Sequence, residues 1–199
     1  LDTSRGLGDV YKRQSTTSGY ELWKSDGTSN GTVMVKDIHN GSSSSYPSSL
    51  TAVGNTLYFN ANDGSTGYEL WKSDGTSNGT VMVKDLNSGS GNSNAGRFTA
   101  IGSTLYFRAN DGTNGTELWK SDGTASGTVM VKDIRSGSSD SSPDHLTAVG
   151  STLYFQANDG TNGTEFWKSD GTSSGTVMVK DVNSGSGNSN AGRFTAIGS

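Results

Sequence analysis

The sequence predicts an all-β protein made of tandem repeats, and three observations carry that expectation. Trp23, Trp71, Trp119 and Trp167 recur every 48 residues, a period in the range of architectures whose repeats are single supersecondary units. Apolar residues arrive in short runs rich in Val, Leu, Tyr, Phe and Trp, bounded by Gly, Ser, Asn and Asp, which is how strands and turns alternate. No window combines apolar residues at i, i+3, i+4 and i+7 with a capping residue, so helix signals are nearly absent.

The chain opens on LDTSRGLGDVYKRQ, which shares nothing with the repeats after it. Asp9 to Gln14 reads as a translated sequencing-adapter end, and residues 1–14 are expected to be a non-native leader that takes no part in the fold. Residues 15–199 are expected to hold about four tandem repeats, incomplete at both ends.

Each repeat carries Glu-Leu-Trp-Lys-Ser-Asp-Gly-Thr, starting at Glu21, Glu69, Glu117 and Glu165, with Phe166 replacing Leu in the last copy. Gly-Thr-Val-Met-Val-Lys-Asp comes next each time, as at Gly31 to Asp37. A second layer lies above this period. Trp71 to Ser103 and Trp167 to Ser199 differ only at Asn78/Ser174 and Leu86/Val182, so a two-repeat unit has been duplicated.

Four strands are expected in each repeat. In the second they are Leu50–Val53, Thr56–Ala61, Tyr68–Ser73 and Thr80–Leu86. Gly54-Asn55 forms a two-residue hairpin loop, and Asp63 to Gly67 and Asp74 to Gly79 form the next two turns. Asn87 to Gly96, rich in Ser, Gly and Asn, crosses to the following repeat. Along the chain this gives four first strands, three second, four third and four fourth, the missing second strand falling where the leader sits. Leu57-Tyr58-Phe59 and Val81-Met82-Val83 are apolar on both faces, as in a sheet covered on both sides. Four antiparallel strands per 48 residues, unable to bury both faces alone, predict the four-stranded antiparallel blades of a β-propeller, here a fragment of a larger ring.

Composition narrows the function. A formal charge of −4 and pI near 5.0 disfavour an electrostatic grip on nucleic acid. No stretch has the length of a membrane-spanning helix, so no membrane insertion is expected. The absence of cysteine excludes disulfides and thiolate metal sites.

Several motifs resemble catalytic or binding signatures, and turn chemistry accounts for most. Gly27 to Gly31, Gly75 to Gly79 and Gly171 to Gly175 fit Gly-x-Ser-x-Gly, but no helix follows to make a nucleophile elbow. The third copy carries Ala125 at the Ser position, and His39 and His145 occupy non-equivalent repeat positions. No catalytic residue is expected. Gly91 to Arg97 lacks the Lys-Ser/Thr pair of a phosphate loop and reads as a crossover. Trp23, Trp71, Trp119 and Trp167 are expected in the structural core, with their N–H groups satisfied locally. Lys36, Lys84, Lys132 and Lys180, each followed by Asp, read as solvated edge charges that discourage aggregation.

The recurring loops Asn62-Asp63-Gly64, Asn110-Asp111-Gly112 and Asn158-Asp159-Gly160 are the candidate ligand-binding residues. Each has a carboxylate downstream at Glu69, Glu117 or Glu165. Oxygen-rich loops of this type can hold Ca²⁺, which makes Asp63, Asp111 and Asp159 candidate calcium ligands and Ca²⁺ a candidate cofactor. Asp-Gly is equally the residue pair of a tight turn. The positions that vary between repeats are Asn60, Arg108 and Gln156, together with the crossovers around Tyr46-Pro47 and Asp140 to His145. In a propeller the crossovers share a face with the second-to-third loops.

Glu69 to Thr76 resembles the signature of the bacterial proteins named for their ELWxxDGT repeat, and the likeness recurs four times over essentially everything after the leader. The resemblance implies exported or cell-surface proteins with propeller-like repeats and carries no defined catalytic activity. The expected function is therefore a non-enzymatic extracellular binding or scaffold module, for adhesion or surface presentation, with a protein or glycan ligand. Two alternatives remain: a glycan-binding lectin-type propeller, and a non-catalytic fragment of a larger secreted hydrolase or lyase.

Overall fold

The computed structural model describes residues 13–15, 18–189, 191–192 and 194–195. All the secondary structure among them is β. The sheets are antiparallel meanders in which each strand pairs with its sequence neighbour. One has three strands, β1 (Arg13–Ser15), β2 (Gly19–Lys24) and β3 (Val33–Lys36). Three have four: β4 (Ser48–Val53) to β7 (Val81–Lys84), β8 (Gly96–Ile101) to β11 (Val129–Lys132), and β12 (Asp144–Val149) to β15 (Val177–Lys180). Between them lie β5 (Thr56–Asn62), β6 (Tyr68–Ser73), β9 (Thr104–Asn110), β10 (Thr116–Ser121), β13 (Thr152–Asn158) and β14 (Thr164–Ser169).

The expected strands of the second repeat therefore form, within two or three residues at each end. β1 takes the place of the missing second strand and pairs Arg13 with Glu21 and Gln14 with Tyr20. The rest of the expected leader, residues 1–12, lies outside the described residues. Residues 194 and 195 are not in a strand, and the rest of the expected fourth first strand, from residue 196 on, also lies outside the described residues.

The chain divides into two compact units, Leu1–Ser93 and Asn94–Ser199, each holding two sheets, in keeping with the duplicated two-repeat unit. In the first, Leu22, Val35 and Ile38 of the leading sheet pack on Leu57, Phe59, Ala61 and Trp71 of the next. In the second, Leu118, Val131 and Ile134 pack in the same way on Leu153, Phe155, Ala157 and Trp167. The sheets are blade-like: each buries a face against its neighbour because its own hairpins cannot cover it.

Three local features set the register. Gly54 has φ 59° and Asn55 does not have positive φ, the pattern of a type II′ hairpin, in which only the first central position demands glycine. Ser103 and Ser151 accordingly replace Asn55 without penalty, while Gly102 and Gly150 remain at φ 59°. A register shift between Leu70 and Trp71 recurs between the third and fourth strands of every sheet. Another interrupts the first strand, between Ser48 and Thr51, Gly96 and Thr99, and Asp144 and Thr147.

Two expectations need correction. The fourth strand is covered only in part: Val83 is 6% exposed and Met82 packs on the core cluster, but Val81 is 38% exposed. The tryptophans are core residues as expected, with Trp71, Trp119 and Trp167 buried and Trp23 half-buried. Their indole Nε1 atoms, however, have no hydrogen-bond partner among the described residues. Packing area holds these rings, and polar satisfaction does not.

Candidate functional site

The residues of the recurring signature can be followed one at a time. Glu117 is fully buried. Its Oε2 accepts the Ile134 amide at 2.9 Å and the Ser141 hydroxyl at 2.6 Å, and its Oε1 accepts the Ser141 amide at 3.0 Å. Glu21 does the same with Ile38 and Ser45. Glu69 accepts from Leu86 and Ser93, and Glu165 from Val182 and Ser189. One buried carboxylate thus ties down both ends of each crossover, whose amides have no strand to pair with. Burial pushes the Glu117 carboxyl up to about 7, against the downward pull of these donors. Glu69 is raised for the same reason.

The next residues build the third-to-fourth turn. Asp122 Oδ1 accepts the Thr124 amide and hydroxyl at 2.8 and 2.7 Å, and Ser121 and Thr128 exchange a hydroxyl hydrogen bond at 2.7 Å. A Cβ at Gly127 would fall on the Asp122 carboxylate, so the second Gly of Gly-x-x-x-Gly makes room for an acid. Ser29, Ser77 and Ser173 are exposed residues of these turns.

Lys36 and Lys132 are not edge charges, whereas Lys180 is exposed at the edge of the last sheet. Lys36 Nζ donates to the Thr80 carbonyl and Lys132 Nζ to the Thr176 carbonyl, each at 2.8 Å across to the neighbouring sheet. Lys24 and Lys120 reach the Gly75 and Gly171 carbonyls at 2.8 and 2.9 Å. The Asp after each edge lysine accepts a crossover amide, as Asp133 Oδ2 does from Gly137 at 3.3 Å. These charges fasten sheet to sheet and strand to crossover, which a reading of single strands does not reveal.

The predicted ligand loops are similarly engaged. Asp63 Oδ1 accepts from the amides and hydroxyls of Ser65 and Thr66. Asp111 Oδ1 accepts the Thr113 and Asn114 amides, and its Oδ2 accepts the Asn114 side chain at 2.7 Å. Asp159 repeats this with Thr161 and Asn162. Asn62, Asn110 and Asn158 each accept the amide of the Gly two residues on. All three aspartates are half-buried; burial raises their carboxyls, and the combined loop hydrogen bonds outweigh it and leave them low. The downstream glutamates do not join these loops, their oxygens being bonded to the crossovers. Among the described residues no group of three or more His, Cys, Asp or Glu is placed to hold a metal.

The loops do lie beside the crossovers. Tyr68 N donates to Asn92 Oδ1 at 2.9 Å, and a Cβ at Gly160 would lie 3.1 Å from Arg135 Nε.

A different cluster appears at the interrupted first strands. Ser49, Arg97 and His145 occupy the same repeat position, all exposed and all left-handed at φ 57°, 59° and 56°. Non-glycine residues held there cost about 1–3 kcal/mol each, and bulges of this kind re-aim side chains. In the second unit Asp144 of β12 reaches the neighbouring sheet, 3.1 Å from Arg97 Nε and 3.6 Å from Arg108 Nη1. Of these, Arg108 and Asp144 fall at positions already marked as variable in the sequence. Arg97 was missed, although Ser49, Arg97 and His145 differ in type at the 48-residue period.

The chain matches no protein-family model and no curated protein. Among solved structures it is similar to the computationally designed Ika8 protein, at 16% identity and a TM-score of 0.47, over 90% of this chain and 48% of that one. The chain therefore spans about half the length of that protein.

Proposed function

We propose that this chain is a non-catalytic binding scaffold: consecutive blades of a β-propeller, of the ELWxxDGT-repeat kind, serving outside the cell in adhesion or surface presentation. One observation carries the reading. Polar residues that recur between repeats have structural partners, as Glu117 does in a crossover, Asp122 and Asp111 in turns, and Lys120 and Lys132 on the next sheet. Several side chains that differ between repeats sit at the first-strand bulge, Ser49, Arg97 and His145 exposed and Arg108, Asp144 and Gln156 half-buried. A repeated frame with a variable edge suits recognition, whereas catalysis needs unlike groups converging on one reacting atom. The tryptophans support a scaffold over stacking on sugars, since Trp119 is 6% exposed and offers no open face.

Substitutions in the two sets test this. Glu117→Ala is expected to lower the melting temperature strongly, while Ser49→Ala and His145→Ala leave it nearly unchanged and alter capture of whatever ligand a glycan or surface-protein array reveals. Ligand capture insensitive to the bulge positions, or a bulge as critical for stability as Glu117, would overturn it.

A further inference from the structure

The bulge cluster of the second unit has a chemistry of its own. Arg97 on β8 and Arg108 on β9 converge on one carboxylate, Asp144 of β12. That carboxylate bridges them through one oxygen each, Oδ1 to Arg97 and Oδ2 to Arg108, so neither guanidinium makes the two-pronged contact that its shape favours. The 3.6 Å separation at Arg108 is beyond hydrogen-bond reach. Asp144 Oδ1 is shared besides with the His145 amide at 2.7 Å. Two cations therefore face one partly engaged anion.

The surroundings offset this charge only in part. Asp140 acts on Arg108 at longer range, but its Oδ1 holds the Thr116 amide at 2.6 Å, and Arg135 lies against its carbonyl at 3.4 Å. Access is open on the Arg97 side: its side chain is 53% exposed, against 30% for Arg108 and 23% for Asp144. Left-handed backbone at Arg97 and His145 holds both side chains at this edge. The matching repeat positions of β4 and β5 are Ser48, Ser49 and Asn60, and Arg193 matches Arg97 one two-repeat unit further on, so this combination of charges is not part of the 48-residue frame.

We propose that Arg97 and Arg108 form a binding site for the carboxylate group of a small ligand, with Asp144 as the internal carboxylate that the ligand displaces. The proposal rests on the scaffold reading above and names the chemistry of its variable edge. It is specific in sign, because a competing internal carboxylate weakens binding and its removal strengthens it.

The test uses the full chain labelled with ¹⁵N-arginine, titrated with glucuronate, with N-acetylaspartate and with glucose. The expected result is a saturable shift of the Arg97 and Arg108 Nε–H resonances with a carboxylate and none with glucose. A response to glucuronate alone identifies a sugar acid, and a response to both identifies the carboxylate itself. Arg97→Gln is expected to abolish the effect and Arg135→Gln to spare it. Asp144→Asn is expected to tighten binding by up to about fivefold, the worth of one partly exposed ion pair. This gain cannot arise from misfolding. No saturable shift with either acid, equal binding in Arg97→Gln, or weaker binding in Asp144→Asn overturns the proposal. A scaffold whose bulge variants keep their melting temperature yet bind neither acid would fail here while leaving the scaffold reading standing.

Discussion

Glu117 and Ser141, 24 residues apart, are joined twice: the Ser141 hydroxyl lies 2.6 Å from Glu117 Oε2 and its amide 3.0 Å from Oε1. Each loss leaves a buried donor unpaired, at about 1–3 kcal/mol apiece. Glu117→Ala is expected to destabilise by about 3 kcal/mol or more on that basis, measured by urea unfolding. Ser141→Ala, which keeps the amide contact, is expected to cost roughly a third as much.

The same carboxyls give stability an unusual pH dependence. The Glu117 carboxyl is raised to about 7 from an ordinary 4.5, so the folded state holds its proton more tightly than the unfolded. Its stabilising contribution is fully present below 4.5 and is lost as pH rises through about 7. Asp111 and Asp159 are lowered, so theirs is present above 3.8 and lost as pH falls through their folded values. Melting temperature against pH is expected to peak on the acid side of neutrality, and Glu117→Gln to flatten the limb between 4.5 and 7.

Gly127 and Gly137 separate two reasons for glycine. A Cβ at Gly127 would collide with the Asp122 carboxylate, whereas Gly137 has φ 92° and open space around it. Gly127→Ala is expected to cost more than Gly137→Ala, the latter losing about 1–2 kcal/mol to backbone strain. Adding Asp122→Ala is expected to recover part of the Gly127→Ala loss and none of the Gly137→Ala loss, as a double-mutant cycle would show.

Lys132 links two sheets through the Thr176 carbonyl. Replacement by Met keeps the aliphatic stem and removes the bond, and a loss of about 1 kcal/mol is expected. Lys180, exposed at the equivalent position of the last sheet, is expected to tolerate the change with no measurable loss.

Strand order and turns were legible because they are local: Gly54 sets a hairpin, and Leu57-Tyr58-Phe59 sets a buried strand. What Glu117 and Lys132 do was not legible, since their partners lie 17 to 44 residues away and the same letters read equally well as surface charge. Asp111 was legible as a turn residue and ambiguous as a ligand, because a carboxylate that accepts loop amides and one that binds a cation share a sequence pattern. The bulge at Arg97 was hidden because register shifts leave no fixed residue signature. Only comparison with Ser49 and His145 marks it.

The central claim is that the recurring polar residues hold the repeat together, and Asp111 tests it most directly. Thermal unfolding of the wild-type chain and of Asp111→Ala is measured in chelator and again in excess calcium. The account predicts that Asp111→Ala loses about 1 kcal/mol, as a removed cap does, equally in both conditions, with no calcium-dependent rise in the wild type. A melting temperature that climbs with calcium in the wild type and not in Asp111→Ala would contradict it, and would make the loop a metal site.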